Sequence, residues 1–417
     1  MSLIYREKLS NGLRIVVEEI PFVRSVSLGI WVGTGSRDEE PANNGMSHFL
    51  EHMLFKGTDT RTAKQIAELF DGIGGQVNAF TSKEYTCFYA KVLDEHFELA
   101  LSTLADMLFH SLFLEEEVNK ERKVIIEEIK MYEDAPDELV HDLIGETVFP
   151  SHPLGFSILG TEQSLNSFTR KDILQYIQNH YTPDNIVLAV AGNVRMSQVL
   201  PIATKLFEGA SGTCKRSKSQ PPKFMRNTQV RNKATEQAHL VLATECYAFH
   251  DPRVYPLILL NNVLGGSSSS RLFQEIREER GMAYSVYSYY TAYRDTGLFG
   301  IYAGTSPEQA QQVIDLCVKI LDDIVENGIT GDELMKAKEQ VKGSLMLSLE
   351  STSARMSRLG KNELLLGRQV SLDETLEKIN NVTLDHVKDV AIDMFDQSLA
   401  LAAVGPFDHL SVPDDVS

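Results

Sequence analysis

A chain of 417 residues, 43 % apolar and 24 % charged, has the composition of an ordinary globular protein of two to four domains and excludes intrinsic disorder. Its 58 acidic against 40 basic residues leave a formal charge of −18, which argues against nucleic acid and anionic membrane as partners, since both want basic faces, and would suit basic peptides. The four cysteines, Cys87, Cys214, Cys246 and Cys317, are far apart with no Cys-x-x-Cys pair, so neither a disulfide framework nor a thiolate zinc site is expected, and a reducing compartment fits.

The first eight residues have no apolar core and no transit-peptide character, and no apolar run approaches the length of a bilayer span. A cytoplasmic location is expected. Residues 14–18 and 26–32 read as strands, bounded by Asn11-Gly12 and by Gly33-Thr34-Gly35. After Asn43-Asn44-Gly45 comes a helix carrying His48-Phe49-Leu50-Glu51-His52. At about 100° per residue, Met46, Phe49, Leu50, Met53 and Leu54 fall in one apolar arc, and His48, Glu51 and His52 gather opposite. Two imidazoles at i and i+4 can reach one cation, and the intervening carboxylate can reach its water, in the inverted zincin order His-x-x-Glu-His. The bland alternative is an amphipathic helix with a solvated polar face. Phe55 weakens it, because it projects on the histidines' side and wants protein or a cleft there.

A second helix, residues 62–69, stops at Gly72-Ile73-Gly74-Gly75, and no G-x-G-x-x-G follows a strand, so these glycines read as a helix stop and turn. Residues 76–81 and 86–92 look like a strand pair, 95–109 and 114–132 like long helices, and 185–192 like a strand that closes the first half. Residues 209–233, rich in Lys, Arg, Ser and Gln with Pro221-Pro222, have the composition of an exposed connection.

The order then restarts. Strand 238–243, helices 255–264 and 271–279, strands 283–291 and 297–303, helices 307–326 and 332–349, and strand 399–405 repeat the first series. The fold class is therefore α+β, two tandem homologous domains, each a mainly antiparallel sheet packed with helices: residues 1–210, a linker at 211–233, and residues 234–417. In the second copy the motif-helix position holds Leu259-Leu260-Asn261-Asn262-Val263-Leu264. Lacking histidine, it leaves the metal to the first half.

A catalytic zinc generally takes three protein ligands, so a further donor is needed. In the helix at 114–132, Val118, Glu121, Val124, Ile125, Glu128, Ile129 and Tyr132 share a mainly apolar arc, while Lys120, Lys123, Glu127 and Lys130 lie off it. Glu121 and Glu128 thus face inward, where carboxylates are costly unless neutralised. A metal would account for both; a Lys or Arg from another helix is the alternative. Glu127 is expected at the surface beside Lys123 or Lys130.

Residues 45–57, with Glu121-Arg122-Lys123-Val124-Ile125-Ile126-Glu127-Glu128, closely resemble the pitrilysin and mitochondrial processing peptidase family, Glu128 standing 76 positions after His52 as that family's third zinc ligand does. The resemblance extends over nearly the whole chain. It implies a zinc metalloendopeptidase with one Zn2+ per chain on His48, His52 and Glu128, Glu51 as general base, and Glu121 orienting a ligand histidine. Zinc would polarise the scissile carbonyl and acidify its water, while Glu51 takes the water's proton and returns one to the leaving amine. In Arg271-Leu272-Phe273-Gln274-Glu275-Ile276-Arg277-Glu278-Glu279-Arg280-Gly281-Met282-Ala283-Tyr284, Arg277 and Tyr284 match the arginine and tyrosine with which the family's second half meets substrate, Arg277 gripping carbonyls and Tyr284 donating to the oxyanion. Residue type alone would make them a surface arginine and a routine strand aromatic.

By the same resemblance, the strand with Asn78, Ala79 and Phe80 offers an edge to an extended peptide. Two such chains would form a homodimer around a chamber, and the short stretch 265–270 fits the catalytic rather than the non-catalytic subunit type. Two other readings stand beside this one: a catalytically inactive scaffold or partner subunit of the same fold, and an enzyme acting on a small amide.

Overall fold

A computed structural model describes residues 3–215 and 221–413. The chain forms two compact units. The first takes Met1–Ile129, Ser157–Ser219 and Ser348–Gln369, and the second Lys130–Phe156, Gln220–Leu347 and Val370–Ser417.

The first unit contains β1 (Leu3–Lys8), β2 (Arg14–Glu19), β3 (Ser25–Val32), β4 (Gln76–Thr81), β5 (Thr86–Leu93) and β6 (Ile186–Gly192) in one sheet, ordered β1-β2-β6-β3-β5-β4. Only β2 and β6 run parallel. Helices α1 (Met46–Met53), α2 (Ala63–Gly72), α3 (Phe97–His110) and α4 (Glu115–Glu133) come from its first segment. After α5 (Pro136–Val148), which belongs to the second unit, α6 (Glu162–Ser167), α7 (Arg170–His180) and α8 (Met196–Phe207) return to the first. One face of the sheet buries Leu28, Ile30, Leu188 and Val190 with Phe49 and Leu50 of α1, Leu104 of α3, Ile173 of α7 and Phe207 of α8.

The second unit repeats this plan with β7 (Thr228–Asn232), β8 (Ala238–Cys246), β9 (Ala283–Ala292), β10 (Gly297–Thr305) and β11 (Ala400–Gly405), ordered β7-β11-β8-β10-β9. Again one pair, β7 with β11, is parallel and the rest antiparallel. Its core joins α9 (Val254–Leu264), α10 (Ala310–Asn327) and α14 (Leu384–Phe395) to the sheet. The same unit holds α11 (Gly331–Ser348) and α13 (Leu372–Asn380), whereas α12 (Thr352–Lys361), between them in sequence, belongs to the first unit. Residues 271–279, expected as an α-helix, are a π-helical turn at Phe273–Glu278.

Two segments depart from the division at 210 and 234. β6 and β11 are buried along their whole length, as strands covered on both faces must be. The second face of the first sheet receives α12, whose Met356 and Leu359 pack on Val16, Trp31, Val187 and Ala189. Gly360 lies so near Trp31 that any side chain there would collide with the indole. The second sheet receives α5, with Val140, Ile144 and Val148 against Val241, Ala402 and Val404. Each covering helix is thus taken from the other half of the sequence. The expected linker, 211–233, also ends in β7, an edge strand whose polar Thr-Gln-Val-Arg-Asn sequence hides it among loop residues. Among the described residues no helix is long and apolar enough to cross a membrane.

Candidate metal centre

α1 begins at Gly45, whose φ of +93° and close approach to the Leu159 carbonyl both require glycine. Gly45 supplies no capping side chain. Its role passes to Glu39, a buried carboxylate that accepts from the backbone N–H of Gly45 and Ser47, both at 2.7 Å, and from Asn44 Nδ2 at 3.1 Å. Three donors and the positive end of the helix favour its charge, yet burial pushes the carboxyl up to about 7.

The apolar arc is buried as its spacing predicts: Met46, Phe49, Leu50, Met53 and Leu54 all lie in the core. On the other side the rings of His48 and His52 stand 4.7 Å apart. Glu128 Oε2, brought in by α4, lies 3.8 Å from His48 Nε2 and 3.7 Å from His52 Nε2, and one ligand atom from each residue falls within 4.8 Å of the others. Bonds of about 2.05 Å at tetrahedral angles would set adjacent ligand atoms roughly 3.3 Å apart. The residue types suit zinc, and the two Glu128 distances would need only a small contraction to hold it. His48 is only 7 % exposed, and burial, then the neighbouring His52, pushes its imidazole down to about 3, keeping it in the neutral form a metal needs. Its Nδ1 is buried without a hydrogen-bond partner among the described residues. Burial raises the Glu128 carboxyl, partly offset by His52.

Glu121 is 5 % exposed, and its Oε2 lies 3.1 Å from His52 Nδ1. Its other oxygen, Oε1, meets Lys56 Nζ at 2.8 Å. Of the two inward carboxylates, Glu128 is brought to the two histidines, whereas Glu121 is met by a lysine and a histidine. The lysine comes from the turn after α1, outside the helix on which Glu121 was projected. Val124 and Tyr132, also projected inward, are 49 % and 37 % exposed; α4 buries only the narrow line of Val118, Glu121 and Ile125.

Glu51 points from the same helix, its Oε2 accepting from Thr81 Oγ1 at 2.7 Å. Burial raises its carboxyl and the Thr81 hydroxyl opposes this. Thr81 was not among the candidate residues. The available signal is its place two residues after Ala79, on the same face of β4.

β4 ends the sheet, so its outer edge has no strand beyond it in this unit. Asn78 is exposed, Ala79 is buried and Phe80 packs edge-on against Trp31 at 5.7 Å. A cavity of about 770 Å³ runs along this strand, lined by Phe55, Lys56, Ile66, Phe70, Val77 and Asn78. In the second unit, the Arg277 guanidinium sits over the rings of Phe273 and Tyr284, 4.8 and 4.6 Å from their centroids. Tyr284, opening β9, is 77 % exposed.

Residues 14–162 match the family model described as insulinase (peptidase family M16), and residues 167–341 the model described as peptidase M16 inactive domain. The chain is 53 % identical over 404 residues to YmxG of Bacillus subtilis, called an uncharacterized zinc protease, covering 97 % of this chain and 98 % of that protein. A Rickettsia felis protein of the same description is 39 % identical over 402 residues, covering 96 % and 97 %. Among solved structures, a protease from Helicobacter pylori superposes with a TM-score of 0.90 at 24 % identity, over 97 % of this chain and all of that one. The peptidase M16 inactive domain from Pseudomonas fluorescens gives a TM-score of 0.90 at 21 % identity, over 98 % and 99 %. These two likenesses speak to the fold.

An inverted His-x-x-Glu-His helix joined by a distant glutamate, on a duplicated α+β fold, defines a metallopeptidase. The chain belongs to peptidase family M16, the insulinase or pitrilysin family.

Proposed function

We propose that the chain is a zinc-dependent endopeptidase that cleaves unfolded or extended peptides, basic ones among them. The carrying observation is the convergence of His48, His52 and Glu128 beside a Glu51 carboxylate that binds no ligand residue and lies next to the open edge of β4. His48, His52 and Glu128 hold one zinc ion per chain, and Glu121 orients His52 through Nδ1. When bound, zinc supplies Lewis acidity to the scissile carbonyl and to water. Glu51 accepts the proton of the attacking water and delivers it to the departing amine nitrogen. β4, through the backbone of Asn78, Ala79 and Phe80, takes the substrate as an added strand, so recognition reads main chain more than sequence. Arg277 grips substrate carbonyls and the Tyr284 hydroxyl donates to the oxyanion.

In this reading residues 1–210 are the catalytic half, 234–417 the homologous half without a metal, and 211–233 the connection between them, whose end, β7, joins the second sheet. The protein works as a homodimer enclosing a chamber in the cytoplasm, where its cysteines stay reduced; sedimentation at twice the 46.6 kDa chain mass is the check on the dimer. The excess of acidic residues supports basic peptides as substrates and neither nucleic acid nor membrane as partner.

The second reading, an inactive scaffold or partner subunit, draws on the description of the model matched by residues 167–341. The intact donor set of the first half favours the enzyme. Digestion of a peptide library by the zinc-loaded protein and its Glu51→Gln variant decides between them. The variant is expected to keep its zinc and lose cleavage by about 10²-fold or more. Equal activity of the two proteins would remove Glu51 from its role, and no zinc-dependent cleavage by the unaltered protein would favour the scaffold.

A further inference from the structure

We propose that Thr81 is a positioning residue for Glu51, tying the carboxylate to the edge strand that receives the substrate. This rests on the peptidase reading and adds to it a residue outside the metal-ligand set.

Strand alternation puts Val77, Ala79 and Thr81 on one face of β4 and Asn78 and Phe80 on the other. The partition is visible in the packing. Val77 and Ala79 join the core that contains α1, whereas Phe80 joins the cluster around Trp31 on the opposite face. Thr81 therefore faces α1, and its hydroxyl has a single proton to give. That proton goes to Glu51 Oε2 at 2.7 Å, the Ser47 carbonyl at 3.5 Å being a far weaker acceptor. With Oε2 held, the plane of the carboxylate is set and Oε1 is left to meet a reactant.

Both ends of this bond are braced by one short segment. Beyond Thr81, the turn at Ser82 to Tyr85 closes through Ser82 N–H and Oγ–H, both donating to the Tyr85 carbonyl. Ser36 N–H donates to the Ser82 carbonyl at 3.2 Å and Arg37 N–H to the Lys83 carbonyl at 2.7 Å. Arg37 Nη1 pairs with Glu84 Oε1 at 2.6 Å, both side chains buried. Gly35 packs so close to the Ser82 carbonyl that a Cβ would collide with it. Two residues after Arg37, Glu39 takes the N-terminal N–H groups of α1, the helix that carries Glu51. The segment 35–39 thus fixes the donor's turn and the acceptor's helix together. A peptide laid along β4 acquires its register from the same strand that aims the base.

The test compares Thr81→Val, which keeps the branched shape without the hydroxyl, with Thr81→Ser, which keeps the hydroxyl. Steady-state kinetics on an extended fluorogenic peptide are measured at equal zinc content, beside crystal structures of each protein. Thr81→Val is expected to lose about 10- to 100-fold in kcat, the scale of a misplaced catalytic group, with KM changed by less than about twofold and Thr81→Ser restoring most of the loss. In its crystal structure the Glu51 carboxylate should leave the position it holds in the unaltered protein. A wild-type kcat in Thr81→Val, a loss confined to KM, or a Thr81→Ser variant no better than Thr81→Val would overturn the proposal, as would an unmoved Glu51 carboxylate. If the unaltered zinc-loaded protein cleaves no peptide, the peptidase reading falls by itself, and the Glu51 position in the two crystal structures still decides what Thr81 does.

Discussion

Glu121 meets the candidate metal centre only through other side chains, and for that reason it reports on how the centre is tuned. Buried, it shares its two oxygens between His52 Nδ1 and Lys56 Nζ. The His52 contact fixes ring orientation and leaves Nε2 facing His48 and Glu128. Glu121→Gln keeps the shape but weakens both contacts, and zinc affinity in a chelator competition is expected to fall by about 10- to 100-fold. An unchanged affinity would reduce Glu121 to a partner of Lys56. The residues of this site differ in how legible they are from sequence. His48, Glu51 and His52 declare themselves because their spacing of three and four is a local property of a helix. Glu128 needs helical projection plus a reason for burying charge. Lys56 and Thr81 could not be read in this way, since each contact joins segments 30 or more residues apart that only the fold brings together.

At the scale of elements, the entry to α1 combines an obligatory glycine with a cap taken from six residues upstream. The cap's chemistry gives a signed prediction. Burial holds the Glu39 carboxyl near 7 in the folded protein, well above its value of roughly 4.3 in an unfolded chain. The native state therefore binds the extra proton, so stability is greater below the unfolded value and declines as pH rises through about 7, flattening beyond. In Glu39→Gln this contribution is absent. The stability difference between the two proteins, from urea midpoints at pH 5 to 8, should shift toward the glutamine variant as pH rises; a constant difference would contradict it. Most strands were legible from alternation and turn residues. β7 was not, because an edge strand is free to be polar, and α5 and α12 were not tied to their sheets because covering helices carry no mark of which face they will cover.

The whole molecule is a duplication whose two copies share a strand order, one parallel pair in each sheet, and a helix borrowed from the other half. The repeat was legible in the sequence; the borrowing was not. Its energetic weight can be measured. A fragment of residues 1–210 lacks α12, leaving the face of Val16, Trp31, Val187 and Ala189 uncovered, and a fragment of 234–417 lacks both α5 and β7. Uncovering several fully buried side chains costs about 1.5–3 kcal/mol each, comparable in sum with a domain's whole stability. Each fragment alone is expected to bind a hydrophobic dye and to lack cooperative unfolding; a sharp urea transition in either would count against this.

The borrowed helix also sets a schedule. Synthesis runs from the N-terminus, and domains generally fold as units while the chain emerges. The first unit, with the candidate metal centre, draws its last segment from Ser348–Gln369, so its sheet stays uncovered on one face until most of the chain has been made. A truncated product ending before Ser348 would carry every candidate zinc donor and still lack a finished domain around them. The sequence order of α12 thereby makes completion of the first unit wait until most of the second repeat has been made.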